Sequence, residues 1–127
     1  MSRFIVDGMN VIGSKPDGWW RDRPAAQRAL VEQLWTFAAS NGADITVVFD
    51  GRPHEVDAPA GIDVVFASRS GPNAADDDIA RLVEDDPAPH DLTVVTSDSD
   101  LAARVRQAGA DTLGARGFAT CSAERCA

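Results

Sequence analysis

FIVDGMN, residues 4–10, is the stretch that decides the fold of this chain. Three apolar residues run straight into Asp7, and Gly8 and Asn10 follow closely. A short, continuous apolar run is typical of a strand that is covered on both faces, as in a parallel sheet. Side chains that follow such strands gather at one edge of the sheet, where ligands bind. The stretch therefore predicts a buried strand that delivers a carboxylate to that edge, with the glycine letting the chain turn.

Strands and helices are predicted to alternate along the rest of the chain. Further strands are expected at residues 45–49, 62–67, 92–95 and 111–115. A first helix is expected at residues 24–41, with Asp22 as its cap. A second is expected after the loop SGPNAADDD, with Ile79, Leu82 and Val83 facing inward. A third is expected at residues 99–108. This alternation predicts an α/β domain with a mostly parallel sheet of about five strands. The connection over residues 51–61 is too short for a helix, so the place of the third strand stays open.

Length, composition and charge narrow the class of protein. The chain has 127 residues, which fits one domain, and it has no apolar run of the ~20 residues that a membrane span needs. We therefore expect a cytoplasmic protein, with Cys121 and Cys126 as reduced thiols rather than a disulfide. The formal net charge of −8 disfavours a passive nucleic-acid binder, but it is compatible with a nuclease whose acidic residues hold metal.

Aspartates follow three of the predicted strands. Asp7 follows the first strand, Asp50 the second and Asp98 the fourth, so all three are expected at the same edge of the sheet. Other aspartates precede strands and are expected at the opposite edge as loop residues: Asp44, Asp91 and Asp111.

The run Asp76-Asp77-Asp78 at the start of a predicted helix adds a further carboxylate. With Ile79 as the inward reference, Asp76 lies about 60° away, whereas Asp78 lies about 100° and Asp77 about 160° away. Asp76 is therefore the residue aimed at the edge of the sheet, and Asp77 is expected to face solvent. Asp77 and Asp78 fit the first turn of a helix, where the helix dipole favours negative charge.

Crowded carboxylates resist ionising together, and a divalent cation relieves that repulsion. Oxygen ligands without sulfur suit Mg²⁺ or Mn²⁺, which can activate water and stabilise charge on a phosphodiester. Asn10 would be a neutral ligand or a phosphate-positioning group. The pattern leaves Asp50 evenly balanced between metal binding and a loop role, and for Asp100 it favours a place in the first turn of a helix over metal binding.

Aromatic and basic residues near this edge are candidates for RNA contact. The segment GWWRDRP follows the first strand, and later loops of the same edge hold two more arginines. The candidates are Trp19, Trp20, Arg21, Arg23, Arg52 and Arg69. Aromatic rings stack on unpaired bases, and arginine pairs with phosphate. The alternative is that at least one of the two Trp rings closes its loop onto the core, and that each arginine is merely solvated.

Four motifs in this order resemble one known family. VDGMNVI, VVFDG, NAADDDI and VVTSDSDL together resemble the NYN domain of the PIN-like nuclease superfamily, in its YacP-like bacterial branch, over residues 3–115. The resemblance implies a metal-dependent ribonuclease with a PIN-like three-layer α/β/α fold. It also implies an acidic site on Asp7, Asp76 and Asp98, with Asn10 in the first motif and Asp50 as a helper.

The resemblance divides the chain into an NYN/PIN-like domain over residues 1–116 and a tail over residues 117–127. YacP-like proteins often continue into a charged C-terminal helix, whereas this tail has little amphipathic character. We therefore expect a metal-dependent endoribonuclease that hydrolyses single-stranded or loop RNA with Mg²⁺ or Mn²⁺ and does not associate with membranes. The alternatives are a catalytically weak RNA- or protein-binding module of the same fold, and a toxin-type PIN nuclease restrained by a partner.

Several other possibilities are excluded or left open by the sequence. There is no G-x-G-x-x-G after the first strand, no phosphate-binding P-loop and no G-x-S-x-G elbow. Phosphate-accepting signalling domains resemble one another in having a lysine after the last strand. The one lysine of this chain is Lys15, near the N-terminus, so the pattern does not match. The sequence leaves open whether the protein forms a homodimer and whether it associates with the ribosome or an inhibitor protein.

Overall fold

The structure, a computed structural model, describes residues 3–13, 21–50, 56, 61–67 and 74–114. Within those residues, one sheet contains the five strands β1 (Arg3–Asp7), β2 (Asp44–Phe49), β3 (Ile62–Phe66), β4 (Leu92–Val95) and β5 (Asp111–Leu113). Their order across the sheet is β3-β2-β1-β4-β5, and every neighbouring pair is parallel. The predicted strands are confirmed, and the third strand, whose place was open, lies at one end of the sheet beside β2.

Helices cover both faces of the sheet. They are α1 (Gly8–Gly13), α2 (Arg23–Asn41), α3 (Ala74–Glu84) and α4 (Ser99–Gln107), and a 3-10 turn at Pro89–Asp91 leads into β4. One apolar core joins α1 and α2 to one face, and a second core joins α3 and α4 to the other. Alternate residues of a strand enter opposite cores, as Val6 and Ile5 do in β1. The predicted α/β domain is therefore a three-layer α/β/α structure.

The ends of α2 follow directly from its sequence. Asp22 caps the helix by accepting a hydrogen bond from the backbone N–H of Ala25 at 3.1 Å, and Pro24 lies in the first turn. Gly42 ends the helix in the left-handed conformation, with φ of 61°, which glycine adopts without steric cost. The predicted cap and the predicted helix end are both confirmed.

Gly8 is required by packing against the neighbouring strand. Helix α1 begins at Gly8, directly after β1, and a Cβ atom on Gly8 would lie 2.5 Å from Cδ1 and Cε1 of Phe49. Any larger residue would therefore collide with a ring that is itself fully buried. The predicted turn is present, but it requires glycine because the helix approaches Phe49 closely.

Leu82 does not face inward, so this part of the prediction for α3 is wrong. Its side chain is 39% exposed, whereas Ile79 and Val83 are completely buried. The small residue Ala80 is also buried, which turns the inward face of α3 away from Leu82 and toward Asp76. Leu82 instead lines a cavity of about 500 Å³ at the N-terminal edge of the sheet. In the described ranges, no helix is long and apolar enough to cross a membrane.

Candidate active site

The C-terminal edge of the sheet collects the predicted carboxylates. Asp7 is the last residue of the central strand β1 and is only 6% exposed, and Asp50 follows the neighbouring strand β2. On the other side of β1, Asp98 follows β4 and caps α4, and Asp76 lies in the first turn of α3. The structure thus brings together side chains that are up to 91 residues apart in the chain.

Asp7 is a buried carboxyl group whose pKa is raised from 3.8 to about 7. Loss of hydration is the largest cause, and the charges of Asp76 and Asp50 add to it. Hydrogen bonds from the Thr96 hydroxyl and the Asn10 backbone N–H lower the pKa, but they do not offset the burial. In the metal-free protein, the carboxyl group of Asp7 is therefore only partly ionised near neutral pH.

Thr96 links the carboxylate of Asp7 to the backbone of Asp98, a role that the sequence analysis missed. Its hydroxyl donates a hydrogen bond to Oδ2 of Asp7 at 3.1 Å and accepts one from the backbone N–H of Asp98 at 3.1 Å. The side chain is 3% exposed, so neither partner is replaced by bulk water. A signal was present: a hydroxyl that can both donate and accept directly follows β4 and stands two residues before Asp98.

Asp76 and Asp98 approach each other closely enough for a hydrogen bond between their carboxyl groups. Burial raises the pKa of Asp76 most, and the charges of Asp98 and Asp77 raise it further. Asp98 also accepts hydrogen bonds at Oδ1 from the backbone N–H groups of Asp100 and Leu101, at 2.9 and 3.1 Å. The first turn of α4 thereby fixes the Asp98 carboxylate against Asp76.

Asp77 does not simply face solvent, as its position on the helix predicted. Its Oδ1 pairs with Nη1 of Arg104 at 3.0 Å, which ties α3 to α4. The charge of Arg104 also lowers the pKa of Asp76, against the stronger effects that raise it. This pair therefore contributes to holding the two helices together where Asp76 and Asp98 repel each other.

The remaining predicted ligands take different positions around these carboxylates. Oδ1 of Asn10 accepts a hydrogen bond from the backbone N–H of Ser97 at 2.9 Å and so joins α1 to the segment after β4. Asp50 lies 3.6 Å from Nη2 of Arg23 across an ion pair. Asp100 is exposed in the first turn of α4. Direct metal binding by any of these three stays a prediction.

The described residues contain no group of three or more His, Cys, Asp or Glu side chains that could hold a metal ion as they stand. The carboxylates instead form a connected chain, in which Asp98 contacts Asp76 and the charge of Asp76 acts on Asp7. All of these donors are oxygen atoms, which suits hard divalent cations. The arrangement therefore fits a cation held directly by two carboxylates better than one enclosed by three.

Most of the predicted RNA contacts lie outside the described residues: Trp19, Trp20, Arg52 and Arg69. Arg21 is described, and it is exposed just before the start of α2. Because Arg23, at the start of the same helix, reaches Asp50, this end of α2 lies beside the acidic site.

The sequence matches the family model of the YacP-like NYN domain over residues 4–124. The chain belongs to this family. A UPF0178 protein of Xanthomonas oryzae pv. oryzae (strain PXO99A) is 39% identical to it over 104 residues, which are 81% of this chain and 60% of that relative. The same figures hold for the protein from strain MAFF 311018. The chain thus spans about 60% of the length of the curated relatives that it matches.

Solved YacP structures share the fold of this NYN domain. Rae1 (YacP) from Bacillus subtilis superposes with a TM-score of 0.79 at 22% identity, covering 98% of this chain and 75% of that one. A point mutant of the same protein gives a TM-score of 0.77 at 25% identity, covering 98% and 76%. The similarity confirms the three-layer fold. NYN domains belong to a nuclease superfamily, so the chain has a nuclease-type fold.

Proposed function

We propose that this YacP-like NYN protein is a metal-dependent endoribonuclease that hydrolyses phosphodiester bonds in single-stranded or loop RNA. The observation that carries the proposal is the meeting of Asp7, Asp76 and Asp98 at one edge of the sheet, with the pKa values of Asp7 and Asp76 both raised. Crowding of acidic groups that lowers the stability of their charged forms is typical of sites that bind a cation or transfer protons.

The cation would be Mg²⁺ or Mn²⁺. Mg²⁺ is usually held by one or two carboxylates and keeps several of its water ligands. Asp76 and Asp98, whose carboxyl groups are in contact, would bind it directly, and Asp7 would bind it through water. Asp50 and, less directly, the exposed Asp100 would add negative charge around it. This division follows the contact between Asp76 and Asp98, since the described residues hold no group of three such side chains that could hold a metal ion.

A bound divalent ion would supply an activated water and would neutralise charge on the phosphodiester during its hydrolysis. The protein's own groups would position the reactants. Thr96 orients the Asp7 carboxyl through its hydroxyl, and the same hydroxyl holds the backbone of Asp98. Ser97, the residue between Thr96 and Asp98, donates a hydrogen bond from its backbone N–H to Oδ1 of Asn10. Asn10 would thus act by positioning the segment that carries Asp98.

RNA is proposed as the substrate because single-stranded chains bind to proteins through stacked bases and paired phosphates. Arg21 is exposed two residues before Arg23, which pairs with Asp50, and Arg21 would contact a phosphate. Trp19 and Trp20, which precede α2 in the sequence and lie outside the described residues, would stack on bases, and Arg52 and Arg69 would contact further phosphates.

RNA cleavage by the purified protein tests this proposal. Wild type should cleave a labelled single-stranded RNA in Mn²⁺ or Mg²⁺ and lose that activity in a chelator. Asp7→Asn and Asp98→Asn should each reduce the rate by at least about 100-fold. Asp111→Asn is the matched control, because Asp111 is an exposed aspartate at the start of β5, on the opposite edge. Cleavage that resists the chelator, or that is unchanged in both site variants, would overturn the proposal.

One observation favours a second candidate, a catalytically weak RNA- or protein-binding module. The described side chains do not form a metal site with three ligands, so a cation would bind only if the carboxylates moved together around it. For this candidate, RNA would bind to wild type without being cleaved, and addition of Mn²⁺ would not change the melting temperature.

A further inference from the structure

The acidic site raises the question of which group receives the negative RNA backbone. The chain has 20 acidic and 12 basic residues, and four carboxylates meet at the proposed cleavage site. A cation there would balance the charge at the reacting phosphate, but it would leave the neighbouring phosphates facing a negative surface. A basic side chain at the rim of the site is therefore needed to hold the strand.

Among the described residues, Arg104 and Arg23 each pair with an aspartate at or beside this site, in different ways. Arg104 donates a hydrogen bond to Asp77 at 3.0 Å, so its guanidinium is committed to joining α3 and α4. Arg23 lies 3.6 Å from Asp50, beyond hydrogen-bonding distance, and the two side chains are 50% and 40% exposed. A half-exposed ion pair at this distance contributes little to stability, so replacing Asp50 by another anion costs little free energy.

The backbone of Arg23 is fixed by the start of α2, and its side chain is half exposed. Asp22 caps the helix with a hydrogen bond from Ala25, and Arg23 is the first residue of the 19-residue helix α2. The backbone of Arg23 therefore has a defined position beside the site, from which its long side chain can reach a ligand. Arginine offers parallel N–H donors that match two oxygen atoms of one phosphate group.

Arg23 also lies on the opposite side of Asp7 from the contacting pair of carboxylates. Asp50 follows β2, on one side of β1, whereas Asp98 follows β4, on the other side. An RNA strand that crosses the edge of the sheet over Asp7 thus passes from Asp98 toward Asp50 and Arg23. The guanidinium would meet the strand next to the reacting phosphate.

We propose that Arg23 exchanges its ion pair with Asp50 for a backbone phosphate of the RNA substrate, next to the scissile phosphate. The inference rests on the proposed function, because it takes RNA as the ligand of this edge. Arg23 is then a binding residue for the strand, and its loss weakens RNA affinity without removing any of the three central carboxylates.

Binding of RNA, measured separately from cleavage, tests this assignment. The full chain carrying Asp98→Asn, which is expected not to cleave, is titrated into a 5′-labelled single-stranded oligoribonucleotide in Mg²⁺, and fluorescence anisotropy gives the Kd at several salt concentrations. Adding Arg23→Ala should raise the Kd about tenfold. It should also reduce the slope of log K against log salt by about 0.7, as expected for one lost phosphate contact on a single strand.

Two further variants separate a phosphate contact from general effects. Arg28→Ala removes the same charge from an exposed position on the same helix and should leave the Kd and the slope unchanged. Arg23→Lys keeps the charge but loses the paired donors, so its Kd should lie between those of Arg23 and Arg23→Ala. Melting temperatures equal to that of the Asp98→Asn protein show that these variants are folded.

The outcomes distinguish this inference from the nuclease proposal. Equal effects of Arg23→Ala and Arg28→Ala, or no RNA binding by the Asp98→Asn protein, would overturn the assignment of Arg23 even if wild type cleaves RNA. Conversely, a wild-type protein that cleaves no RNA, together with a specific loss of binding in Arg23→Ala, would overturn the nuclease proposal and support the assignment.

Discussion

The carboxyl groups of Asp76 and Asp98 lie in hydrogen-bonding contact, although one belongs to α3 and the other caps α4. Packing of the two helices against the same face of the sheet holds them there. Two ionised carboxylates in contact repel each other, and together with burial this raises the pKa of Asp76. When both groups are ionised, the contact therefore destabilises the metal-free protein, and a cation bound between them would remove this repulsion.

Metal binding should consequently stabilise the protein. At a Mn²⁺ concentration of 100 times the Kd, the expected gain is about 2.7 kcal/mol, which raises the melting temperature of a domain of this size by several degrees. A chelator should reverse the shift. Asp76→Asn and Asp98→Asn should abolish most of it, and Asp111→Asn should retain it. Equal shifts in all three variants would place the bound cation elsewhere.

Replacement of Asp7 by Asn should stabilise the metal-free protein at alkaline pH. The pKa of Asp7 is about 7 in the folded state and near 3.8 in the unfolded chain, so the folded state binds the proton more tightly. Its contribution to stability is complete below about pH 4 and is lost as the pH rises to 7. Asp7→Asn avoids that loss, which is on the order of 2 to 4 kcal/mol.

Urea unfolding with a chelator present, at pH 5 and at pH 8, measures this effect. The variant should gain stability over wild type at pH 8, and the gain should be smaller at pH 5. A difference between the two proteins that does not change with pH would show that Asp7 has the same pKa in the folded and unfolded states.

The hydroxyl of Thr96 should matter more than its methyl group. Thr96→Val leaves Oδ2 of Asp7 without this donor and the backbone N–H of Asp98 without this acceptor, in a buried position. The expected cost is about 1 to 3 kcal/mol in the free energy of unfolding, with a loss of Mn²⁺ affinity. Thr96→Ser restores the hydroxyl and should recover the Mn²⁺ affinity. If the serine variant binds Mn²⁺ as poorly as the valine variant, the hydroxyl is not what positions the carboxylates.

Gly8→Ala should destabilise the fold through a single methyl group. Its Cβ would lie 2.5 Å from two ring carbons of Phe49 and 3.1 Å from Cγ2 of Val47, so the buried ring must move. Overpacking of this kind costs about 1 to 3 kcal/mol. Thermal unfolding of Gly8→Ala, alone and with Phe49→Leu, measures the effect. The second change makes room at the ring, so the cost of Gly8→Ala should fall in that background, and an unchanged cost would contradict the proposed collision.

Much of the fold could be predicted from local sequence patterns. Apolar runs identified the strands, and Asp22 with Gly42 marked the ends of α2, because these signals act within a few residues. The convergence of Asp7 with Asp98 was predictable too, since parallel strands share one C-terminal edge. The order of the strands was not, because it depends on which strands pair across the whole sheet.

The failures all concern contacts between distant elements. Leu82 was predicted inward because its spacing from Ile79 is helical, but burial of the small Ala80 rotates the inward face of α3. The bond from Thr96 to Asp7 and the pair of Asp77 with Arg104 join residues 89 and 27 positions apart. Such contacts depend on how the layers pack, which spacing along one helix or strand does not contain.

Diffraction from a crystal of the wild-type protein soaked in Mn²⁺ tests the central claim most directly. We expect anomalous density in contact with carboxylate oxygens of Asp76 and Asp98, and separated from Asp7 by no more than a water molecule. Density only at other carboxylates, such as those of the opposite edge of the sheet, or no ordered Mn²⁺ between Asp76 and Asp98, would contradict the claim that these aspartates form a cation site.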